Sequence, residues 1–415
     1  MRFSTVTSLL FLLLISCSQP VSNSNIKEGM ALDRLSRIDS MLNEAVQTKE
    51  IPGAVALVVR NGKPVYQKAF GSANPESQRL FNDQDIFRIA SMTKAITSLA
   101  VLMLWEEGMF FLDDPIAKYI PSFSGVGILK DYDAKDTTYT TTVPKNKITI
   151  RHLLTHTSGI GYGEIDGNPA IRSIYWKEEL RDIFSPEQNM ATLTNAIAKQ
   201  PLHHEPGERF TYSLGLDVLG HFVEVMSGMT FPEFLRKRVF DPLQMNDTYF
   251  TLPEDKHQRL VPVITRDGDD WAIYESSIYD VNYPLQSKNF FSGGAGLSST
   301  VQDYAKFLTL FLTQGKSNGQ QIIGKKTCEL IYQNQLSESM GFSHGLAFGI
   351  LAEADLKKGM GGSKGTLTWG GYFNTSYFAD PEENLIGIIY KQTFDIGNDS
   401  TSQRFRELVF QAVVE

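Results

Sequence analysis

The chain has 415 residues, of which 42% are hydrophobic, 21% charged and 11% aromatic, a composition that excludes disordered, collagen-like and coiled-coil classes. Lys plus Arg is 39 against 47 for Asp plus Glu, a net charge of −8, so there is no electrostatic footprint for nucleic acid and no polybasic membrane patch. The two cysteines, Cys17 and Cys328, exclude a disulfide framework and zinc sites built on several cysteines. A chain this long is expected to divide into two regions, because single cores stop growing near ~250–300 residues.

Residues 1–16 carry Arg2, then the apolar run Leu9–Ile15, then the small residue Ser16. This is the layout of a secretory signal peptide, and the run is too short to span a bilayer. Leu14-Ile15-Ser16-Cys17 resembles the lipobox of bacterial lipoproteins. That resemblance implies cleavage before Cys17, lipidation of Cys17, and an exported periplasmic or cell-surface protein held to a membrane by its lipid. Residues 17–29 then form the lipidated cysteine and a polar tether. No later segment approaches the ~18 consecutive apolar residues of a membrane helix.

In Ala31–Val46, apolar residues at steps of three and four mark an amphipathic helix. Gly53–Arg60, Asn61-Gly62 and Pro64–Phe70 read as strand, tight turn and strand, because Asn-Gly tolerates positive φ at both turn positions. A helix follows Ser91, carried by Ile96, Leu99, Ala100, Met103 and Leu104 and ended near Gly108. From about Pro121 to Gln286, helical stretches such as Met190–Lys199 and Leu214–Ser227 alternate with polar loops, and Thr137–Thr142 reads as a surface insertion. Strand character returns in Ser343–Leu351, Thr366–Trp369, Asn374–Ala379 and Leu385–Tyr390, before a closing helix over Ser402–Val414. Strands at both ends with helices between them predict an α/β protein. Residues 30–120 and 287–415 would form the α/β domain, and 121–286 a mainly helical inserted domain.

Ser91-Met92-Thr93-Lys94 is an S-x-x-K match where a loop enters a helix. Residues three apart share a helix face, so the lysine amine reaches the hydroxyl. A serine hydroxyl is a weak nucleophile, and an amine kept neutral by desolvation takes its proton. Ser24-Asn25-Ile26-Lys27 fits the same pattern but lies in the tether, without a helix to orient it. Gly361-Gly362-Ser363-Lys364-Gly365 fits the G-x-S-x-G elbow, yet charged residues precede it and a strand follows, so it reads as a glycine-rich loop.

Further segments follow in order: Thr149–Ile160 (TIRHLLTHTSGI), Glu205–Gly220 (EPGERFTYSLGLDVLG), Asp241–Thr248 (DPLQMNDT), Gly293–Thr300 (GGAGLSST), Asp303–Phe307 (DYAKF) and Trp369-Gly370-Gly371. With Ser91–Lys94 they resemble the serine β-lactamase-related superfamily of class C β-lactamases, DD-peptidases and their esterase and transesterase relatives, over roughly residues 30–410. The resemblance implies a β-lactamase/transpeptidase-like fold, an antiparallel sheet flanked by helices. It also implies an acyl-enzyme mechanism in which Ser91 attacks a carbonyl and Lys94 and Tyr212 share the proton transfers. The N–H groups of Ser91 and Tyr372 would form the oxyanion hole, beside a strand edge at Gly370 and Gly371 that approaches the ligand closely.

Two positions depart from true β-lactamases. Leu214 stands where the second motif has Asn, and Trp369 stands where the third has a cationic or polar residue. A substrate carboxylate then loses its ionic partner, although Lys364 and His344 lie near enough in sequence to replace it. Tyr212-Ser213-Leu214 with Trp369-Gly370-Gly371 resembles the family VIII carboxylesterases, which implies ester hydrolysis, with acyl transfer as a relative. A DD-peptidase or β-lactamase, and a non-catalytic binding protein on the same scaffold, are the alternatives. His156 is expected in a turn lining the cleft, and Asp217 outside the site. His203 and His204 should diverge rather than share a metal, Cys328 should pack as a small buried residue, and no metal or cofactor is implied.

Overall fold

The computed structural model describes residues 25–178, 180 and 189–415. The expected signal peptide and Cys17 lie outside the described residues, and so does most of the tether. The tether's last residues belong to the folded body instead. Ile26–Lys27 pairs antiparallel with Met30–Ala31 around Glu28 and Gly29, whose φ values of 49° and 72° turn the chain back. The Ala31 N–H then donates to the Ala412 carbonyl at 2.8 Å, tying the two chain ends together.

Helix α1 (Leu32–Gln47) is followed by strands β1 (Gly53–Arg60), β2 (Lys63–Asn74) and β3 (Arg79–Leu80), and then by helix α2 (Thr93–Glu106). Asn61 and Gly62 have φ of 52° and 73°, the pair of left-handed residues a two-residue hairpin turn requires. Later in the chain come α3 (Gly215–Ser227), α4 (Val301–Leu312), β4 (Gly349–Ile350), β5 (Leu367–Gly371), β6 (Thr375–Asp380), β7 (Leu385–Tyr390) and α5 (Thr401–Gln411). The strands form one antiparallel sheet in the order β4-β5-β6-β7-β1-β2-β3, so the two ends of the chain meet where β7 pairs with β1.

Every residue of β1 is buried, and alternate residues serve opposite faces. Ala54, Ala56 and Val58 pack with Leu35, Ile38 and Leu42 of α1 and Phe405 and Val409 of α5. Val55, Leu57 and Val59 join the larger cluster that holds α2 and α4. Thr93 through Leu104 are all buried, as expected of a helix with apolar or small residues all round. That helix begins at the S-x-x-K residues, with Lys94 in its first turn, and the sheet, α3 and α4 together hold it as the central pillar of the molecule.

Three expectations need correction. Thr137–Thr142 is exposed, but Tyr139–Thr142 pairs with Ile128–Tyr132 as a hairpin. Within Ser343–Leu351 only Gly349–Ile350 is a strand, because Gly345 and Ala347 (φ 65°) make a tight turn in which the Gly345 N–H donates to the Phe348 carbonyl. The stretch 121–286 is helical as expected, yet it contains a second hairpin, Ile264–Asp267 with Asp270–Ile273. Its helices share one continuous apolar cluster with the sheet, from Val55 through Leu219 and Phe231 to Ile388. Among the described residues no helix is long and apolar enough to cross a membrane.

Candidate active site

The chain enters α2 through a single 3₁₀ turn, Ala90–Met92. Ala90 sits there at φ 41°, a conformation that L-residues adopt only when their surroundings impose it. Strand β5 presses on this turn, since a Cβ on Gly371 would meet the Ile89 carbonyl oxygen at 2.5 Å and also strike Thr375. Ser91 thereby faces a pocket, open to solvent, lined by Tyr162, Tyr279, Tyr283, Tyr372 and Phe373, with Glu164 and Ile165 beside them. Tyr372 follows directly on the close-packed Gly370-Gly371 pair and lines the same pocket as Ser91.

One turn beyond Ser91, in the first turn of α2, Lys94 is fully buried. Its Nζ lies 3.4 Å from Ser91 Oγ, 3.2 Å from Tyr162 Oη and 2.8 Å from the Gly294 carbonyl. The Tyr212 and Tyr162 ring centres are 4.6 and 5.1 Å from it, and those two rings stack at 5.1 Å. Burial alone would push the Lys94 amine down, but the phenols of Tyr162 and Tyr212 and then the Asp217 carboxylate outweigh it and push it up. That direction runs against the expected neutral amine and favours the ammonium form of Lys94. At Tyr162 burial outweighs the opposing pull of Lys94 and drives the phenol up, so it keeps its proton.

Tyr162 escaped the sequence reading, although it stands two residues beyond the Thr149–Ile160 segment. Asp217 also lies inside the network rather than outside it. Buried in α3, it accepts from the Ser292 hydroxyl at 2.5 Å and from the Gly294 N–H at 3.1 Å, while the Gly294 carbonyl accepts from Lys94. A Cβ on Gly294 would meet Asp217 Oδ2 at 2.5 Å, which explains the bare backbone of the GGAG segment at this point. His156 does not line the cleft. Its ring is 0% exposed and packs 4.6 Å from the Tyr212 ring, and its Nδ1 accepts from the Ser213 N–H at 3.2 Å. The Tyr-Ser-Leu backbone needed a support from behind, and the buried imidazole fills that position.

The Beta-lactamase family profile matches residues 31–409. This chain belongs to the Beta-lactamase family. It is a serine hydrolase, and its relatives within the family include named esterases. The esterase EstB of Burkholderia gladioli is 30% identical over 381 residues, covering 86% of this chain and 90% of that protein. The lovastatin esterase of Penicillium rubens is 30% identical over 383 residues, covering 85% and 91%. Among solved structures, EstCE1, a hydrolase with promiscuous acyltransferase activity, superposes with a TM-score of 0.78 at 23% identity, covering 91% of this chain and 99% of that one. That likeness establishes the β-lactamase/transpeptidase-like fold for this family member.

The two groups that could have supplied the third motif's missing cation do not supply it. His344 does sit beside the tryptophan, its ring 5.3 Å from that of Trp369. Burial pushes it down to about 4, however, and its Nδ1 is bonded to the Gly345 carbonyl at 2.8 Å, so the ring is neutral near pH 7. Lys364 is exposed, on a loop pinned by Ser363 to Asp380 (2.6 Å) and by Gly361 to Glu407 (3.0 Å). That loop adjoins the Leu367 end of β5, whereas the Gly371 end meets the Ser91 turn. The Gly361–Gly365 decoy is thus a loop, as expected. His203 and His204 diverge, the first to Asp166 and the second to Thr211, each at 2.9 Å. Cys328 is free and buried.

Proposed function

We propose that this serine hydrolase cleaves carboxylic esters through an acyl-enzyme on Ser91. Ser91 Oγ attacks the ester carbonyl, and Lys94 and Tyr212, whose ring centre lies 4.6 Å from the Lys94 Nζ, share the transfer of its proton. The same proton then goes to the departing alkoxide. A water molecule repeats the sequence on the acyl-enzyme and releases the acid. Tyr162, protonated and stacked on Tyr212, keeps Lys94 in place, and the N–H groups of Ser91 and Tyr372 receive the carbonyl oxyanion. Losing one such donor costs on the order of 10²–10³ in turnover.

The observation that carries the choice of ester is the neutral aromatic contact that Trp369 makes with Tyr212 and His344. A β-lactam or a D-Ala-D-Ala terminus presents a carboxylate that needs an ionic partner, and the ring nearest Trp369 on that side is the uncharged His344. The esterase names of the two relatives support the same reading. Purified protein should hydrolyse p-nitrophenyl esters, and Ser91→Ala should abolish both that turnover and labelling by a fluorophosphonate. Equal rates in the two proteins would end the proposal. Acylation of Ser91 by a fluorescent penicillin with no ester turnover would favour the cell-wall alternative. Export as a lipoprotein is also proposed, on the Leu14–Cys17 segment, and a membrane-extracted chain beginning at acylated Cys17 by intact mass is its test.

A further inference from the structure

The pocket in front of Ser91 holds a feature that the acyl-transfer machinery does not use. Glu164, in the 3₁₀ turn Gly163–Ile165, lines the pocket two residues after Tyr162 and is partly buried. Among the described residues it makes no hydrogen bond and no ion pair, and it is the one charged side chain in the pocket's lining. Burial pushes its carboxyl up from the ordinary carboxylate range, with nothing opposing it. Its charge acts across the pocket. After burial, Glu164 is the next cause holding the Tyr372 phenol up at about 12, and it contributes to the same effect at Tyr279.

The cations nearby among the described residues are already engaged, Lys288 with the Tyr283 carbonyl at 2.9 Å and its Nζ 4.8 Å from that ring's centre. Lys94 is bonded to the Gly294 carbonyl, and the fully buried Arg88 donates to the carbonyls of Val281 and Val261 at 2.5 and 2.7 Å. A carboxylate that shares the pocket with the exposed Tyr372 ring and has no cation partner among the described residues is a receptor for a cation, because ring faces attract an ammonium that the carboxylate neutralises. Resting on the ester-hydrolase reading above, we infer that Glu164 selects esters bearing an ammonium group and disfavours those bearing a carboxylate.

The test uses p-nitrophenyl esters of trimethylammoniobutanoate, its tert-butyl isostere and glutarate for charge on the acyl side. Choline acetate against neohexyl acetate places the charge on the alcohol side. In at least one of these arms the cationic-to-neutral ratio of kcat/KM should be ~10-fold higher in the native protein than in Glu164→Gln, the effect of roughly one ion pair in a partly solvated site. Taking the ratio within each protein removes the intrinsic reactivity of each ester. The same ratio in both proteins in both arms would overturn the inference while leaving ester hydrolysis intact. Native protein alone gives a second reading that needs no folded variant: choline should inhibit neutral-ester hydrolysis more strongly than neohexanol, and equal inhibition counts against Glu164. If the native protein does not turn over the neutral ester, the reading beneath the inference fails first, and the inference falls with it.

Discussion

Asp217 reaches the nucleophile through a single residue, Gly294. It holds the Gly294 N–H, the Gly294 carbonyl holds Lys94, and Lys94 faces Ser91. On the other side of the cluster, two buried imidazoles brace the aromatic wall. The His156 Nδ1 accepts a backbone N–H, and the His344 Nδ1 is bonded to a carbonyl, which places the remaining proton of each neutral ring on opposite nitrogens. Burial pushes both rings down, His344 to about 4 from 6.5. The folded protein therefore binds fewer protons here than the unfolded chain between those two values, and stability must fall as pH falls. The His344 contribution is fully present above about pH 6.5 and is lost as the pH drops toward 4. Between pH 7 and pH 5 it amounts to ~2 kcal/mol. Urea unfolding at those two pH values should show that loss in the native protein, and His344→Phe, which keeps an aromatic ring in the cluster, should lose ~2 kcal/mol less. Parallel pH dependences in the two proteins would mean that the ring is not held neutral.

The helix α2 and the β1–β2 hairpin follow directly from local pattern. Their signals are the apolar run after Ser91, the Gly108 stop and the Asn61-Gly62 turn, and all three are short-range chemistry. The Lys94 amine is the opposite case. Its charge depends on phenols and a carboxylate contributed by residues 162, 212 and 217, which only the folded chain brings within reach. For the same reason the sequence does not point to Tyr162 and leaves Asp217 outside the site, while a Thr-His-Thr-Ser-Gly turn suggests exposure for His156. The GGAG segment lies between these extremes. Its glycines are visible in the sequence, but their reason is the face of α3, against which Gly294 is packed. Gly294→Ala should push the Asp217 carboxylate or the loop aside, since real Cβ atoms do not approach an oxygen at 2.5 Å. The Gly294 carbonyl would then move off Lys94, and a misplacement of that kind lowers kcat by ~10²-fold. The variant should still fold, so the check is kcat on a p-nitrophenyl ester together with an unchanged far-UV circular dichroism spectrum. A kcat within about twofold of native would show that the Asp217–Gly294–Lys94 chain is not what positions the amine.

At the scale of the molecule, the stretch 121–286 interrupts a sheet whose strands come from both chain ends, yet it has no core of its own. Leu216, Leu219 and Phe222 of α3 belong to the same cluster as Ile96, Leu99 and Met103 of α2 and Val55 and Leu57 of β1. Helix α2 is buried on every side because the sheet covers one flank and the inserted helices another. Peeling the insertion away would expose that apolar surface, at ~25 cal/mol per Å², together with Lys94 and its polar partners. The sheet half cannot remain folded alone under that penalty, and the insertion cannot stand without α2. Heating should therefore give one transition, with the far-UV helix signal, tryptophan fluorescence and fluorophosphonate labelling of Ser91 all lost at the same temperature. A Leu99→Ala substitution, which opens a cavity in the shared cluster and costs ~2–5 kcal/mol, should lower all three together. Two separated transitions, or a Leu99→Ala shift confined to one probe, would mean that the insertion folds as an independent body. Ser91 would then lie at a boundary between two units rather than at the centre of one.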